Sequence, residues 1–239
     1  MEIEQIAQFM QLLIYGAILI GLGLNLYIVK KIGKGIMNVV FISFGMSLFL
    51  IGLSNVFVAL YESSLEDITL HIFWHIIAYL GFLSLIWGGY RIKKIIGSPN
   101  PQGFGVKDVI VFGAMLNITI LVFIFAPILN EGLFGILAGS AWEQLGIHHL
   151  IAFLLGVIGA LYLFYIKGGP QAGKSITFIG VFLLLLGVQH FWEIINETFH
   201  LFAISGSTVE LIEQFIIFPA ILFFIAGQKS IINFIKGTK

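Results

Sequence analysis

The chain has 239 residues, of which 59% are hydrophobic and only 10% are charged, and its mean hydropathy is +1.06. A soluble domain of this length cannot bury so much apolar surface, so the composition predicts an integral membrane protein. The net charge is zero and there is no cysteine, which excludes a basic nucleic-acid-binding surface, disulfides, iron–sulfur clusters and covalently attached haem.

Seven apolar stretches follow one another along the chain, each about 20 residues long, as a membrane-spanning helix requires. Barrel strands are far shorter, so the stretches predict an all-α, polytopic bundle of about seven transmembrane helices in one domain, residues 1–239. The acidic start lacks the positive region of a signal peptide, so the first stretch is interpreted as a retained span. The predicted spans are residues 9–29, 36–61, 70–90, 109–129, 146–166, 176–195 and 209–227.

The 12 Lys and Arg residues all fall on one side of this bundle. They occupy the connections after the first, third and fifth spans and the C-terminal tail. Basic segments stay on the cytoplasmic side of a membrane, so we expect an outside N-terminus and a cytoplasmic C-terminus in the cell membrane. The basic residues are Lys30, Lys31, Lys34, Arg91, Lys93, Lys94, Lys107, Lys167, Lys174, Lys229, Lys236 and Lys239.

All six histidines, and every acid except Asp108, fall on the opposite side or in the outer half of a span. Insertion into the membrane does not require this, because Asp and Glu contribute little to the topological bias. The asymmetry of the acids and histidines therefore needs a second explanation.

Four of these residues are predicted to lie in one layer of the bundle. Each is 16 to 18 residues from the Lys or Arg at the basic end of its own helix. At about 1.5 Å per residue they lie roughly 24 Å from the basic side, about one turn below the outer surface of a core about 30 Å thick. The four are His75, His149, His190 and Glu213.

Helical spacing predicts which polar residues share a face. His71 and His75 share one face of the third span. His148 and His149 diverge by about 100° on a helix, so only one of them is expected to face the layer. In the sixth span a polar stripe falls within an arc of about 80°. The stripe consists of His190, Glu193, Glu197 and His200.

Ionisable residues inside a membrane usually face the bundle interior and mark a functional site. Histidines and carboxylates without thiols suit Zn, Fe, Mn or Cu. A metal-dependent membrane enzyme is therefore the first hypothesis, in which the metal activates water or carries out redox chemistry and Glu193 or Glu213 moves a proton. The candidate ligands are His71, His75, His149, His190, Glu193, Glu197 and Glu213.

Three other functions fit the same residues. A b-type electron-transfer subunit would hold haem b between His75, His149 and His190. An ion or proton transporter would use the histidines and glutamates as a relay, although the inner halves of the spans contain few polar residues. A structural subunit would have the lipid bilayer and other membrane subunits as its partners.

Overall fold

The computed structural model describes residues 3–33, 37–61, 68–96, 104–129, 145–166 and 170–237. Within these ranges the chain is helical and has no strands, which confirms the predicted fold class. Seven helices are long and apolar enough to cross a membrane. They are α1 (Ile3–Ile32), α2 (Asn38–Tyr61), α3 (Ile68–Ile96), α4 (Val106–Leu129), α5 (Ile147–Tyr165), α6 (Pro170–Glu193) and α7 (Gly206–Gly237).

Several helices extend past the predicted spans into more polar sequence. α1 begins at Ile3 rather than at residue 9, and α7 ends at Gly237 rather than at residue 227. Hydropathy detects only the part of a helix that lies in hydrocarbon, whereas backbone hydrogen bonding continues through the headgroups. The 30 residues of α1 measure about 45 Å, close to the thickness of a bilayer with its headgroups.

The outer surface of the bundle is apolar. On α1, Leu12, Leu19 and Leu26 lie seven residues apart on one face and are 67%, 69% and 69% exposed. Soluble proteins rarely expose large continuous apolar patches, whereas lipid covers such a face. This surface supports a multi-pass membrane protein.

Six of the helices form a closed ring in the order α1, α2, α3, α5, α6 and α7, with α7 packed on α1. α4 stands outside this ring and packs on α3 and, more weakly, on α2. Large aromatic side chains, among them Phe44, Phe82 and Phe182, are fully buried between the helices. Because α3, α5 and α6 are consecutive in the ring, side chains on their facing surfaces can meet at one point.

Successive helices run in opposite directions, which brings the described basic residues to one end of the bundle. Lys30 and Lys31 end α1, Lys93 and Lys94 lie in the last turn of α3, and Lys107 begins α4. We call this the basic end and the opposite one the histidine end. The cytoplasmic location of the basic end stays a prediction.

The backbones of α5 and α6 touch directly. A Cβ atom on Gly156 would lie 2.6 Å from Gly187 Cα and 3.0 Å from the Leu183 carbonyl oxygen, well inside the usual carbon–carbon contact of about 3.5–4.0 Å. Small residues permit such close approach between membrane helices. Gly156 is two turns along α5 from His149, so this contact sets the spacing of the two helices near the histidines.

Asp108, the acid predicted on the basic side, forms a buried ion pair there. Its Oδ2 atom lies 3.3 Å from Arg91 Nη1 and accepts a hydrogen bond of 2.9 Å from the Gly105 backbone N–H. Trp87 Nε1 donates to Oδ1 over 3.1 Å. A buried charge is tolerated only when it has such partners. These contacts attach α4 to α3 and cap the first turn of α4.

We expect Asp108→Asn to destabilise the protein by about 2 kcal/mol, because the buried ion pair with the Arg91 guanidinium loses its negative charge while the shape is kept. Unfolding in detergent, followed by circular dichroism, measures this loss. Lys107→Gln is the control, since Lys107 is exposed on the same turn, and it should leave the unfolding midpoint in place. A loss below about 0.5 kcal/mol for Asp108→Asn, the range of ordinary surface substitutions, would show that the pair does not hold α4.

Candidate metal centre

α5 begins at the histidine end with a turn that only glycine makes easily. Gly146 has φ 56° and ψ 35°, a left-handed conformation that is costly for residues with a Cβ. A Cβ at Gly146 would also collide with Thr198 Oγ1. The glycine therefore lets the start of α5, with His148 and His149 in its first turn, pack against the segment that follows α6.

α6 ends at Glu193 and continues as a π-helical turn, Ile194–Thr198. Such turns are rare and are frequent at functional sites. The wider turn ends the α-helical periodicity, so the predicted stripe through His200 is wrong. His200 is exposed beyond the turn, with φ 47°. His190 and Glu193, which precede the turn, remain on one face.

Four predicted ligands from three helices meet beneath the histidine end. His149 Nδ1 and His190 Nδ1 lie 2.7 Å and 2.5 Å from the same carboxylate oxygen, Glu193 Oε2. His75 Nε2 is 3.1 Å from His149 Nδ1 and 4.0 Å from Glu193 Oε2. All four side chains are buried, with 0–3% of their surface exposed. The depth layer predicted from the sequence thus brings three of its four members together, joined by Glu193.

Neighbouring groups orient the donor atoms. His75 Nδ1 lies 3.0 Å from the His71 carbonyl oxygen, which accepts a hydrogen bond only from a protonated nitrogen. The lone pair of His75 is therefore on Nε2 and points into the cluster. Gln189 donates its amide to Glu193 Oε1, which leaves Oε2 for the histidines. Outer hydrogen bonds of this kind fix the tautomer and direction of metal ligands.

The geometry fits a small metal ion. One donor atom from each of the four residues lies within 4.8 Å of the others. Two ligands at about 2.0–2.1 Å from a tetrahedral zinc ion are about 3.3–3.4 Å apart, and the observed separations of 2.5–4.0 Å lie on both sides of this value. Three imidazoles, one carboxylate and no sulfur match Zn, Fe, Mn or Cu.

A second group of donors overlaps the first. His71, His75, His148 and His149 also bring one ligand atom each within 4.8 Å of one another. The expectation that only one of His148 and His149 faces the site is wrong, because both are buried and both belong to this group. The rings of His148 and His149 lie 5.1 Å and 5.3 Å from the His71 ring, and His149 also reaches Glu193.

Two predicted ligands are not placed in either donor group. Glu213 is half-buried on α7, which packs on α1 and α6, and neither donor group includes it. The side chain of Glu197 lies outside the described part of the chain. For both residues, metal binding stays a prediction. The same holds for proton transfer by Glu213, and for such a role of Glu193, whose Oε2 atom faces two histidines here.

The sequence reasoning missed two supporting residues. Gln189 lies four residues before Glu193, and Tyr79 lies four residues after His75, with its hydroxyl donating to the His148 carbonyl oxygen over 2.5 Å. Residues four apart share a helix face. A search for polar residues at this spacing from each histidine could have found both.

The fold and this site define a class: a seven-helix, multi-pass membrane protein with a buried His/Glu cluster that could hold a metal ion. No family model, curated protein or solved structure matches the chain. Its function therefore has to be inferred from its own residues.

Proposed function

We propose that this protein is a membrane metalloprotein that binds one transition-metal ion between α3, α5 and α6. The ligands are His75 Nε2, His149 Nδ1, a nitrogen of His190, and Glu193 Oε2. The observation that carries the proposal is the convergence of four buried donors from three helices within 4.8 Å. Nothing about membrane insertion requires that convergence.

The cost of burying these groups supports a bound cation. A carboxylate that is 1% exposed is expensive to remove from water unless charge or hydrogen bonds compensate it. Glu193 is the only acid in either donor group. Gln189 donates to its Oε1 atom, and His149 and His190 contact Oε2. A divalent ion would in addition offset the negative charge and use the imidazole lone pairs, whereas apolar residues would suffice for packing alone.

The donor set also limits the chemistry. Four protein ligands complete a tetrahedral zinc site, as in structural zinc centres, while Fe, Mn or Cu can keep a further position open. With such an ion bound, the site would supply Lewis-acid or redox chemistry. The protein would then hold the ion through three imidazoles and exclude bulk water by burial. For an ion that keeps a further coordination position open, we propose that the protein is a metal-dependent enzyme.

The geometry supports haem b less well. Axial nitrogens on a haem iron lie on opposite sides of a broad, flat ring, at about 4 Å from each other if each iron–nitrogen bond is about 2 Å. His75 Nε2 and His149 Nδ1 are 3.1 Å apart, and Glu193 approaches the same point. This packing suits a single ion better than a macrocycle.

A continuous ion path is also less well supported. Buried polar residues that the sequence reasoning overlooked, Asn25, Ser84 and Gln228, do lie in the basic half. By helix position, however, the fully buried rings of Phe82 and Phe182 lie between that half and the cluster. On α3 and α6, these rings place apolar side chains between the two polar regions.

We further propose that the protein lies in the cell membrane with its basic end in the cytoplasm, because basic segments are retained there. The metal site then faces the extracytoplasmic side, about one turn below the surface.

Metal analysis of the purified protein tests the proposal. We expect about one Zn, Fe, Mn or Cu ion per chain, and its loss in His149→Ala. His200→Asn is the matched control, since His200 is exposed and asparagine tolerates its left-handed backbone. The absence of a stoichiometric transition metal, or an unchanged content in His149→Ala, would refute the proposed function.

A further inference from the structure

The two donor groups share His75 and His149 but differ in their other members. The inner group adds His190 and Glu193, and the outer group adds His71 and His148. In both groups, one ligand atom of each residue lies within 4.8 Å of the others. The described part of the chain thus offers two overlapping groups of donors that could each hold an ion.

The shared residues prevent both positions from being filled together. His75 has only Nε2 to offer, because its Nδ1 donates to the His71 carbonyl, and one lone pair binds one ion. Two divalent ions would also share a single carboxylate in a buried site, where like charges repel strongly. Occupation of one position therefore excludes occupation of the other.

The outer position is closer to the histidine end. His71 lies one turn before His75 on α3, which starts at that end, and His148 precedes His149 on α5. His71 is half-buried, whereas His148, His190 and Glu193 are 4%, 3% and 1% exposed, so His71 is the most accessible of these side chains. An ion that arrives from the histidine end meets the outer group first.

We propose that the outer group is a loading position for the metal centre, an inference that rests on the proposed function. The ion binds first to His71 and His148 together with the shared pair. It then moves inward as His190 and Glu193 replace His71 and His148, while His75 and His149 hold it throughout. Each ligand that leaves is replaced by another, so the ion keeps its coordination number during the transfer. The net ligand change exchanges two imidazoles for one imidazole and one carboxylate, which favours the inner position for a divalent cation.

Co²⁺ binding to full-length, metal-free protein in detergent tests the loading position. The visible absorbance of bound Co²⁺ gives the amount bound, the affinity and the rate of binding in one experiment. We expect His71→Ala to slow Co²⁺ binding by about tenfold, the change that about 1.4 kcal/mol in the barrier produces. Its equilibrium affinity should stay within about twofold of the unmodified protein, because the inner ligands are intact; this also shows that the variant is folded. The His71→Ala/His148→Ala double variant should be slower still, and His200→Asn should bind at the normal rate.

Each other outcome overturns the inference in a distinct way. Equal binding rates for His71→Ala and the unmodified protein would show that the outer group is not on the path. A loss of affinity as large as that of His149→Ala would make His71 a ligand of the final site. Two Co²⁺ ions per chain would show that both positions are filled at once. If no Co²⁺ binds to the unmodified protein, the proposed function fails as well. Two Co²⁺ ions per chain would contradict its single bound ion, whereas the first two outcomes leave a single bound ion standing.

Discussion

Replacement of Glu193 by glutamine is expected to lower the affinity for the bound metal by at least about 100-fold, more than the 10- to 100-fold loss typical of outer-shell partners. The change keeps the size of the side chain and removes the only carboxylate of the cluster. The amide oxygen is a weaker, neutral donor, and the three imidazoles are then left to hold a divalent ion without a counter-charge. Competition with a chelator of known affinity measures the change.

Glu210→Gln provides the matched control for this experiment. Glu210 is exposed on α7 and accepts a hydrogen bond of 3.1 Å from Gln214, outside both donor groups. Its replacement should leave the metal affinity within about twofold of normal, as expected for a surface position. Equal affinities for Glu193→Gln and the unmodified protein would remove Glu193 from the ligand set.

The second large effect is expected from a change that touches no ligand. Gly156→Ala places a methyl group 2.6 Å from Gly187 Cα, and neither backbone can move aside as a flexible side chain would. α5 has to separate from α6 by roughly 1 Å to restore a normal contact. We expect a loss of about 3 kcal/mol or more in stability, at the upper end for overpacking. Metal affinity should fall as well, since His149 moves away from His190 and Glu193.

Gly113→Ala and Gly16→Ala are controls for this effect, because a Cβ at either position meets no other atom within 4 Å. Both lie inside helices and should be neutral or slightly stabilising, since alanine favours helix over glycine. Unfolding midpoints and metal content of the three variants can be compared directly. If Gly156→Ala behaves like the two controls, the close contact does not determine the spacing of α5 and α6.

Much of the fold could be predicted from the sequence because insertion into a membrane depends on simple physical quantities. Stretch length and apolarity identify the helices, and the alternation of basic connections orders them into opposite directions. Hydropathy does not state which helices are neighbours. The closed ring, in which α7 meets α1 and α4 stands outside, arises from close packing at positions such as Gly156 and Gly187.

The same distinction explains which site residues could be predicted. Counting residues along a helix gives the depth of a side chain in the membrane. The shared depth of His75, His149 and His190 identified them as candidate ligands. Glu213 has a similar depth, but its helix packs on α1 and α6, and a residue's depth does not give its position around the ring. The position of His200 outside the site could not be predicted, because the π-helical turn after Glu193 alters the helical periodicity. No local sequence rule identifies such a turn.

The most direct test of the metal centre is an anomalous difference map from crystals of the purified protein, recorded at the absorption edge of the metal that it contains. We expect one peak, about 2.0–2.3 Å from His75 Nε2, His149 Nδ1, Glu193 Oε2 and a nitrogen of His190. A peak elsewhere, such as at Glu210 or His200, or no peak within the cluster, would contradict the assignment.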